Sequence, residues 1–536
     1  MPDNSPPRHG AGAIVAVFGA AFLAMVDLSI SAVAMPAIRD DLHASLSGLQ
    51  WIFDCYTLAF AGLLMVGGTI SDRLGHRTGL IASTALFTLG SVVCVAADGV
   101  WLLIVGRSVQ GAAAAMLVPA SMAMISRLAP EPERKAKLLG AWGGLSGVAI
   151  ALGPLLGGWF VHLSGWRLIF GFNIAAGVLL LVLILAAAPK VVPGEGGSLD
   201  VPGLVLGVLW PTALAYSLIE GHAQGWSAPG VLAGFVVGAL ALAVFVVVEV
   251  RAEHPMMPVR SFTSRVFAAS NLVAAVLGFA LSAAYYFLSL YIQQVLGHDA
   301  LDAGFGFLPG ALGLMFCAPL AGKLVKQVGA RSLITGGLLL GAVGLFGLST
   351  LGADSGYWAS WWAVALVGVG LGLALPANTT QALTSLPPER AGAASGTVET
   401  SMQLGTVLGI AVLGTVQATG FTGDLRDRLR GESVTGHALD RAVDDATASR
   451  PLRVPGVAAD RLHDLVAGAF AHGLHLAFFT AFAVSAATGV IAFALLPRRS
   501  AADGPDAEAP EPPKVAVDAG ADTGADTGAD TPNRDG

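Results

Sequence analysis

Four ionisable residues stand inside long apolar stretches of the sequence, away from the ends of those stretches. They are Asp27, Asp54, Arg107 and Glu399. A charged side chain at membrane depth costs about 2.5 to 3.5 kcal/mol on insertion scales, so such a residue marks a function by default. Because apolar surroundings favour the neutral form of a carboxyl group, these residues are candidates for proton coupling.

Asp27 and Arg107 form the leading candidate pair. Asp27 lies near the middle of the first apolar stretch, and Arg107 lies in the fourth. A cation close to a carboxylate favours its charged form, so movement of Arg107 would switch the protonation of Asp27. The alternative is that Arg107 only holds helices together or binds backbone carbonyl groups.

Asp54 and Glu399 each allow two interpretations. Asp54 is either a group that takes up protons or cations near the outer surface, or an interfacial residue that reaches the lipid headgroups. Glu399 suits a cationic substrate or a second proton site, or it makes a satisfied polar packing contact. Its neighbours in the sequence are polar: Ser395, Thr397, Thr400, Ser401 and Gln403.

The elements that carry these residues are predicted to be membrane-spanning helices. The 536 residues are 54% hydrophobic and only 12% charged, which indicates an all-α polytopic membrane protein. A span needs about 20 apolar residues, and the continuous apolar runs lack the alternation of membrane strands. Fourteen spans are predicted, at 12-35, 48-70, 78-97, 100-125, 137-160, 167-188, 202-220, 229-249, 267-293, 304-325, 332-351, 357-385, 392-418 and 471-496.

Two landmarks indicate an internal duplication. The turn that contains Gly68, Asp72, Arg73, Gly75 and Arg77 recurs 254 positions later as Gly322, Lys326, Gly329 and Arg331. A second set recurs at a spacing of 257, where Trp101, Gly111 and Pro119 correspond to Trp358, Gly368 and Pro376. Such repeats are typical of transporters that move two halves about a central site.

The spacing of the repeats also predicts the domain organisation. The turn joins spans 2 and 3 in the first half but spans 10 and 11 in the second, so one extra pair of helices lies between two six-helix halves. The predicted parts are a cytoplasmic stretch 1-11, a first half 12-190, inserted helices 191-261, a second half 262-497 and a disordered cytoplasmic tail 498-536. Within the second half, 419-470 is predicted as a long external loop, either a solvated cap or partly helical.

Basic residues in the short loops predict the orientation, because they concentrate on the cytoplasmic side. With the Gly68 turn inside, that side collects most of the Lys and Arg residues of the short loops, and both termini are cytoplasmic. The opposite connections offer little beyond Arg39 and Arg167.

Several kinds of chemistry are not expected. The sequence has no phosphate-binding loop for ATP, and His472 and His475 have no cluster of metal ligands beside them. Cys55, Cys94 and Cys317 stand singly in predicted spans, so neither disulfide nor metal chemistry is expected. We therefore expect no enzyme activity, no cofactor beyond a proton gradient, no metal and no nucleic-acid partner.

A motif of glycine and proline residues in the fifth span affects how the helices pack. Gly153, Pro154, Gly157 and Gly158 carry no charge. Glycine lets helices approach closely, and proline removes one backbone donor and bends the helix. Ordinary membrane packing is the alternative explanation for any single Gly-Pro pair.

Together these motifs resemble the major facilitator superfamily, and within it the fourteen-span branch of bacterial drug:proton antiporters. The Gly68 to Arg77 turn resembles the loop between spans 2 and 3 of this family. Leu103 to Arg107 with Gln110 and Gly111 resembles the span 4 motif, and Ala149 to Gly158 resembles the antiporter signature of span 5. Asp27 to Pro36 resembles the span 1 signature, and Trp166, Arg167, Phe170 and Asn173 also fit.

The resemblance implies alternating access, with proton influx driving export of an amphipathic drug or antibiotic across the bacterial inner membrane. We expect the protein to act as a monomer. It implies that Asp72 and Arg73 latch the inner gate and that Arg107 couples to protonation. Lys326 replaces the acid of the second turn, and Glu399 and Met402 stand where this branch often has Asn and Arg. The alternatives are a proton-coupled uptake symporter and a non-transporting membrane sensor. Expected cavity residues are Tyr285, Tyr286, Asn378, Thr379, Gln381 and Gln403.

Overall fold

The computed structural model describes residues 10–128, 131–189, 200–252, 257, 259–352, 354–386, 391–447, 454 and 457–497. Some side chains inside these ranges, including those of Asp72, Arg73 and Lys326, are outside the description, as is the predicted tail 498-536. The described residues form helices and connecting turns. The α-helices are α1 Gly10–Leu42, α2 Leu46–Leu74, α3 His76–Val95, α4 Val100–Leu128, α5 Pro132–Ser164, α6 Arg167–Ala187, α7 Val201–Gln224, α8 Pro229–Arg251, α9 Arg265–Ser282, α10 Leu288–Leu290, α11 Ala300–Gly306, α12 Leu308–Val328, α13 Ala330–Ser349, α14 Trp361–Thr384, α15 Ala391–Gly431, α16 His437–Thr447 and α17 Ala459–Leu495.

The membrane-spanning prediction is confirmed. Within the described residues, 12 helical segments are long and apolar enough to cross a bilayer. α2 and α5, with 29 and 33 residues, supply the other two of the fourteen predicted spans. The ninth span consists of α9, α10 and two π-helical segments, Ala283–Phe287 and Tyr291–Val295.

The two halves repeat the same close helix contacts. In the first half Gly111 of α4 packs against the Tyr56 carbonyl of α2, where an added Cβ would lie 2.2 Å from that oxygen. In the second half Gly368 of α14 packs against the Gly310 carbonyl of α12, with the corresponding distance 2.0 Å. Gly310 lies 254 positions after Tyr56 and Gly368 lies 257 after Gly111. The sequence duplication is therefore a duplication of backbone contacts.

The repeated turn of each half is sharper than the sequence indicates. The predicted spans 48-70 and 78-97 leave seven residues between them, but α2 runs to Leu74 and α3 begins at His76. Gly75 alone reverses the chain, with φ 79°, and Gly329 does the same between α12 and α13 with φ 81°. Glycine adopts such positive φ values without the steric penalty that other residues carry. The connection is shorter than the predicted spans indicate, because its polar residues continue the two helices.

The inserted helices contact both halves. α7 packs against α8, against α2 of the first half and against α15 of the second half. Trp51 of α2 donates a hydrogen bond from Nε1 to Oε1 of Glu220 at 3.1 Å. Thr415 of α15 donates from Oγ1 to the Leu218 carbonyl at 2.9 Å. α7 therefore lies along the contact between α2 and α15, and α8 packs on α7.

The predicted external loop 419-470 is shorter and more helical than expected. α15 continues to Gly431, α16 lies within the connection, and α17 already begins at Ala459. Phe421, Leu425 and Leu429 are spaced four residues apart and are buried, because this face packs within the protein. The predicted span ends at 418 because charged residues follow it, but these residues lie on the exposed side of α15.

We expect Gly111→Ala and Gly368→Ala to destabilise the protein, because a new methyl group would press on a carbonyl of the neighbouring helix. Overpacking of this kind costs about 1 to 3 kcal/mol. The matched control is Gly336→Ala on α13, where no atom lies within 4 Å of the added Cβ. Thermal unfolding in detergent checks this: the two variants should unfold at lower temperature than wild type, and equal behaviour of all three would contradict the packing.

Candidate functional site

Asp27 and Arg107 form a buried ion pair. Nη1 of Arg107 lies 2.5 Å from Oδ2 of Asp27, and the two side chains are 1% and 0% exposed. α1 supplies the carboxylate and α4 supplies the guanidinium group, and these helices pack together. Attraction between charges is strong where water is excluded, but the cost of removing both charges from water is large as well.

Further hydrogen bonds extend this pair into a polar network of Asp27, Arg107, Asn173, Gln110 and Ser91. Asn173 of α6 donates from Nδ2 to the second oxygen of Asp27 at 2.5 Å. Arg107 also donates to Oε1 of Gln110 at 3.1 Å, and Gln110 donates to Oγ of Ser91 at 2.9 Å. Both oxygens of Asp27 are thus bonded, and the network links the four helices α1, α3, α4 and α6.

Aromatic rings enclose the guanidinium group. Cζ of Arg107 lies 4.4 Å from the centre of the Tyr56 ring and 6.0 Å from that of Phe170. Cation–π attraction at desolvated sites is worth about 2 kcal/mol. The Tyr56 hydroxyl donates to the Ala24 carbonyl at 3.1 Å, which ties α2 to α1 beside the ion pair.

The sequence pointed to the pair but not to most of its partners. Asn173, Gln110 and Phe170 entered only through the family resemblance, and Tyr56 and Ser91 were missed. An uncharged polar residue in an apolar helix is a weak signal alone. The available signal was Gln110 three residues after Arg107, which places both on one face of α4.

Asp54 does not reach the lipid headgroups, so that alternative was wrong. Its side chain is 0% exposed, and neither carboxyl oxygen has a hydrogen-bond partner in the described structure. The residue lies two turns inside α2, and α2 is covered by α4, α7 and α15. The remaining interpretation, uptake of a proton or cation, stays a prediction.

Glu399 makes a local contact on α15. Its Oε1 accepts a hydrogen bond from Nε2 of Gln403, one turn later, at 2.7 Å. The side chain is half-buried. Neither Glu399 nor Asp54 shares a described hydrogen bond with Asp27 or Arg107, so the structure places the four candidate charges in one pair and two separate positions.

The expected cavity residues divide into two groups. Tyr285 lies on a π-helical segment and stacks on Phe307, with ring centres 5.3 Å apart and planes 11° apart. Tyr286 is buried and packs edge-on against Phe53.

The polar residues make hydrogen bonds within their own half: Asn378 to the Ser270 carbonyl, Thr379 to the Leu375 carbonyl and Gln403 to Glu399. Gln381 is buried.

The span 5 motif packs α5 against two helices. A Cβ on Gly153 would lie 1.9 Å from Oγ of Ser29, and one on Gly157 would lie 2.5 Å from the Ile30 carbonyl, so both face α1. A Cβ on Gly158 would lie 2.2 Å from the Ala300 carbonyl, at the start of α11 in the other half. Pro154 is inside α5, and its carbonyl lies against Gly304 of α11. The motif therefore joins the two halves as well as packing one of them.

Other contacts between the halves lie at the same end of the bundle, away from Gly75. Nη1 of Arg39 donates to Oε1 of Gln294 at 3.3 Å, and Nε2 of Gln293 donates to the Val33 carbonyl at 3.0 Å. His162 of α5 pairs with Asp299, which precedes α11, at 3.2 Å. We call this the closed end. The π-helical segment Tyr291–Val295 supplies both glutamines.

The residues of the predicted gating turn are described only in part. Arg77 donates from Nη2 to the Leu185 carbonyl of α6 at 2.8 Å, a bond within the first half. Arg331, its counterpart, lies over the Phe493 ring of α17 at 4.0 Å. Gly68, Asp72 and Arg73 belong to α2, but their surroundings are outside the described part, so the latch formed by Asp72 and Arg73 stays a prediction.

Comparison with known proteins identifies the family. The family model of the Major Facilitator Superfamily matches residues 17–410. The chain belongs to the major facilitator superfamily. It is therefore a polytopic membrane transporter and not an enzyme. Fourteen spans and the relatives below agree with the fourteen-span branch of that superfamily.

The similar curated proteins come mostly from actinobacteria. The chain is 32% identical over 515 residues to the tetracenomycin C resistance and export protein of Streptomyces glaucescens, which covers 93% of each chain. It is 36% identical to the cephamycin export protein CmcT of Amycolatopsis lactamdurans, covering 77% of this chain and 86% of the relative. It is 31% identical to the multidrug resistance protein Stp of Mycobacterium tuberculosis, covering 93% and 94%.

Among solved structures, the chain resembles a bacterial homologue of the human lysosomal transporter Spinster. The TM-score is 0.67 with 17% identity, and the likeness covers 92% of this chain and 98% of the other. At this identity the comparison supports the fold alone.

We expect Arg107→Met to destabilise the protein strongly, because it leaves the Asp27 carboxylate buried without its cation. Breaking a buried ion pair in this way costs about 3 to 5 kcal/mol. The double variant Asp27→Asn with Arg107→Met should recover part of the loss, because no charge remains uncompensated. A double-mutant cycle of thermal unfolding in detergent checks this; strictly additive losses would contradict direct coupling of the two side chains.

Proposed function

We propose that this chain exports a drug or antibiotic across the bacterial inner membrane and that protons move inward in exchange. The observation that carries the proposal is the fully buried Asp27–Arg107 pair, in which a carboxylate bonds to one cation. The similarity to resistance and export proteins over almost the whole chain supports the direction of transport.

The mechanism follows from the charge balance at Asp27. While Arg107 donates to Asp27, the carboxylate is stabilised in its charged form. When Arg107 withdraws or a proton arrives, the neutral carboxyl group no longer holds α4 through the ion pair. Protonation of Asp27 and the packing of α1, α4 and α6 are therefore linked, which gives the proton gradient a means of shifting the conformation.

Alternating access requires the closed end to open. The positive-inside rule predicts that both termini and the turns at Gly75 and Gly329 face the cytoplasm. The closed end would then face outward. The contacts of Arg39, Gln293 and His162 with the second half would then form the outer gate. We assign Asp72 and Arg73 to the inner latch, and Asp54 and Glu399 to further proton or cation sites.

The remaining assignments belong to the same proposal. The six-helix halves 12-190 and 262-497, with the inserted helices 191-261 between them in the chain, move about a central site. The functional unit is a monomer, and no cofactor takes part. A proton-coupled importer and a non-transporting sensor are the alternatives. The close packing of Gly153, Gly157 and Gly158 argues for an antiporter through the family resemblance.

We expect Asp27→Asn to abolish drug-induced proton movement, because the variant side chain cannot exchange a proton. Everted membrane vesicles with an acidified lumen provide the measurement, with a pH-sensitive dye and a panel of cationic dyes and natural antibiotics. Arg107→Ala should also lose coupling. A matched control is Asp41→Asn, which changes an exposed carboxylate paired with Arg167 near the closed end and should retain coupling. Uphill export by Asp27→Asn would contradict the assignment.

Removal of residues 501-536 should leave drug resistance of the host cell unchanged, because transport requires only the helical bundle. The measurement is the minimal inhibitory concentration of a compound that the wild-type protein expels, with protein levels compared by immunoblot. Loss of resistance at equal protein level would favour the sensor alternative, in which the tail binds a partner.

A further inference from the structure

Asn173 holds Asp27 with only one end of its amide group. Its Nδ2 donates to Oδ1 of Asp27 at 2.5 Å, while its own Oδ1 has no hydrogen-bond partner in the described structure. The side chain is 0% exposed. Buried polar atoms are nearly always bonded, because an unpaired one loses its hydration without compensation. The arrangement thus uses the donor of Asn173 and leaves its acceptor unpaired.

Close packing of α1 and α6 fixes the amide at this place. The two helices run antiparallel and meet at two points that are two turns apart. A Cβ added to Gly19 would lie 2.5 Å from the side chain of Leu180. The hydrogen bond between Asn173 and Asp27 is the second point, seven residues before Leu180 and eight after Gly19. Asn173 therefore stays beside Asp27 as long as α1 and α6 stay packed.

The charge of Asp27 decides which end of the amide it can bond. A carboxylate only accepts hydrogen bonds, so it faces the amide nitrogen, as in this structure. A protonated carboxyl group has one O–H to donate and needs an acceptor. Rotation of the planar amide by about 180° would bring its oxygen to that position, and the last torsion of asparagine is broad and roughly two-fold. Asn173 can thus bond to either form of Asp27.

Arg107 lacks this ability. A guanidinium group has donors only and keeps its charge, so it cannot accept the O–H of a neutral acid. Arg107 has neutral contacts of its own, since Nη1 donates to Oε1 of Gln110 at 3.1 Å and Cζ lies 4.4 Å from the centre of the Tyr56 ring. Each member of the ion pair therefore has an uncharged group beside it that does not depend on the opposite charge.

We propose that Asn173 is the positioning residue that accepts the hydrogen bond of neutral Asp27, after its amide oxygen turns toward Oδ1 of the acid. One proton from water adds to Asp27, Arg107 keeps its charge, and no proton passes through the amide. The inference rests on the proposed function and gives α6 a part in it. Because the neutral acid stays hydrogen-bonded, Asp27 can hold a proton without Arg107 beside it.

The first test follows the C=O stretching band of protonated Asp27 by infrared difference spectroscopy of the purified full-length protein when the pH is changed. Asp27→Asn removes this band and so identifies it. Asn173→Leu keeps the branching of the side chain without its donor or acceptor. It should move the band to higher frequency, because a carboxyl group that donates no hydrogen bond has a stiffer C=O.

The matched control is Asn271→Leu on α9, which makes the same change at a second buried amide. Asn271 bonds to the Phe267 carbonyl and to Ser401 in the other half, away from the ion pair. This variant should leave the Asp27 band in place. An equal shift in Asn271→Leu would overturn the assignment, because loss of any buried amide would then suffice.

Asn173→Asp gives a second arm, since it keeps the shape of the side chain. A protonated aspartic acid donates and accepts as the amide does, whereas a charged one repels the Asp27 carboxylate. Drug-induced proton movement in the everted vesicles, measured at several pH values with a constant gradient, should therefore approach wild type as the pH falls. It should drop at least tenfold at the highest pH, while Asn173→Leu should stay slow throughout.

Other ionisable groups do not obscure this profile. Among the described residues, Arg107 interacts with Asp27, Tyr56, Cys55 and Cys94. Thiols and phenols ordinarily titrate above about pH 8. A profile measured below that value therefore reports on the carboxyl groups of the site.

The outcomes separate this inference from the proposed function. If the vesicles show drug-induced proton movement but the Asp27 band keeps its frequency in Asn173→Leu, the role of Asn173 is overturned and export stands. If the band shifts while the vesicles show no exchange, the role of Asn173 stands and export fails. If size exclusion shows that Asn173→Leu does not fold, Asn173→Asp decides alone, and a pH profile parallel to that of wild type overturns the role.

Discussion

The ion pair between Asp27 and Arg107 is the interaction on which the first half depends. Neither charge is tolerable alone in this interior, because each would lose its hydration without compensation. Their ion pair therefore requires α1 and α4 to keep their position relative to each other. Asn173 and Gln110 complete the coordination from α6 and α4. A change in the charge of this one carboxylate would therefore act on several helices at once.

Close backbone contacts supply the framework around this pair. Gly111 and Gly368 bring α4 onto α2 and α14 onto α12 at distances that no side chain would allow. Lipid offers little hydrophobic driving force between helices, so the gain comes from van der Waals contact over small residues. The same device operates in α5, where Gly153 and Gly157 meet α1 while Gly158 meets the other half. Close packing of glycines thus connects one half to the other at the closed end.

The two halves share a backbone plan but not their interior chemistry. Positions that carry Arg107 and Gln110 in the first half carry Val364 and Val367 in the second. The first half buries a charged pair there, while the second half has buried aliphatic side chains at the same positions. π-helical turns occur frequently at functional sites, and here the ninth span combines two of them with both glutamines of the closed end.

The sequence by itself predicted the fourteen spans and the duplication, carried the family resemblance and singled out Asp27 and Arg107 as charges inside apolar spans. These features are local or periodic: apolar runs, repeated spacings and charges that lipid would not tolerate. It placed Asp54 and the end of the thirteenth span less well, because burial depends on which neighbours cover a helix. Only the tertiary structure decided that Asn173 and Tyr56 join the pair and that Glu399 stays apart from it. Those facts depend on contacts between residues distant in the chain, and apolar sequence carries little information about which helix faces meet.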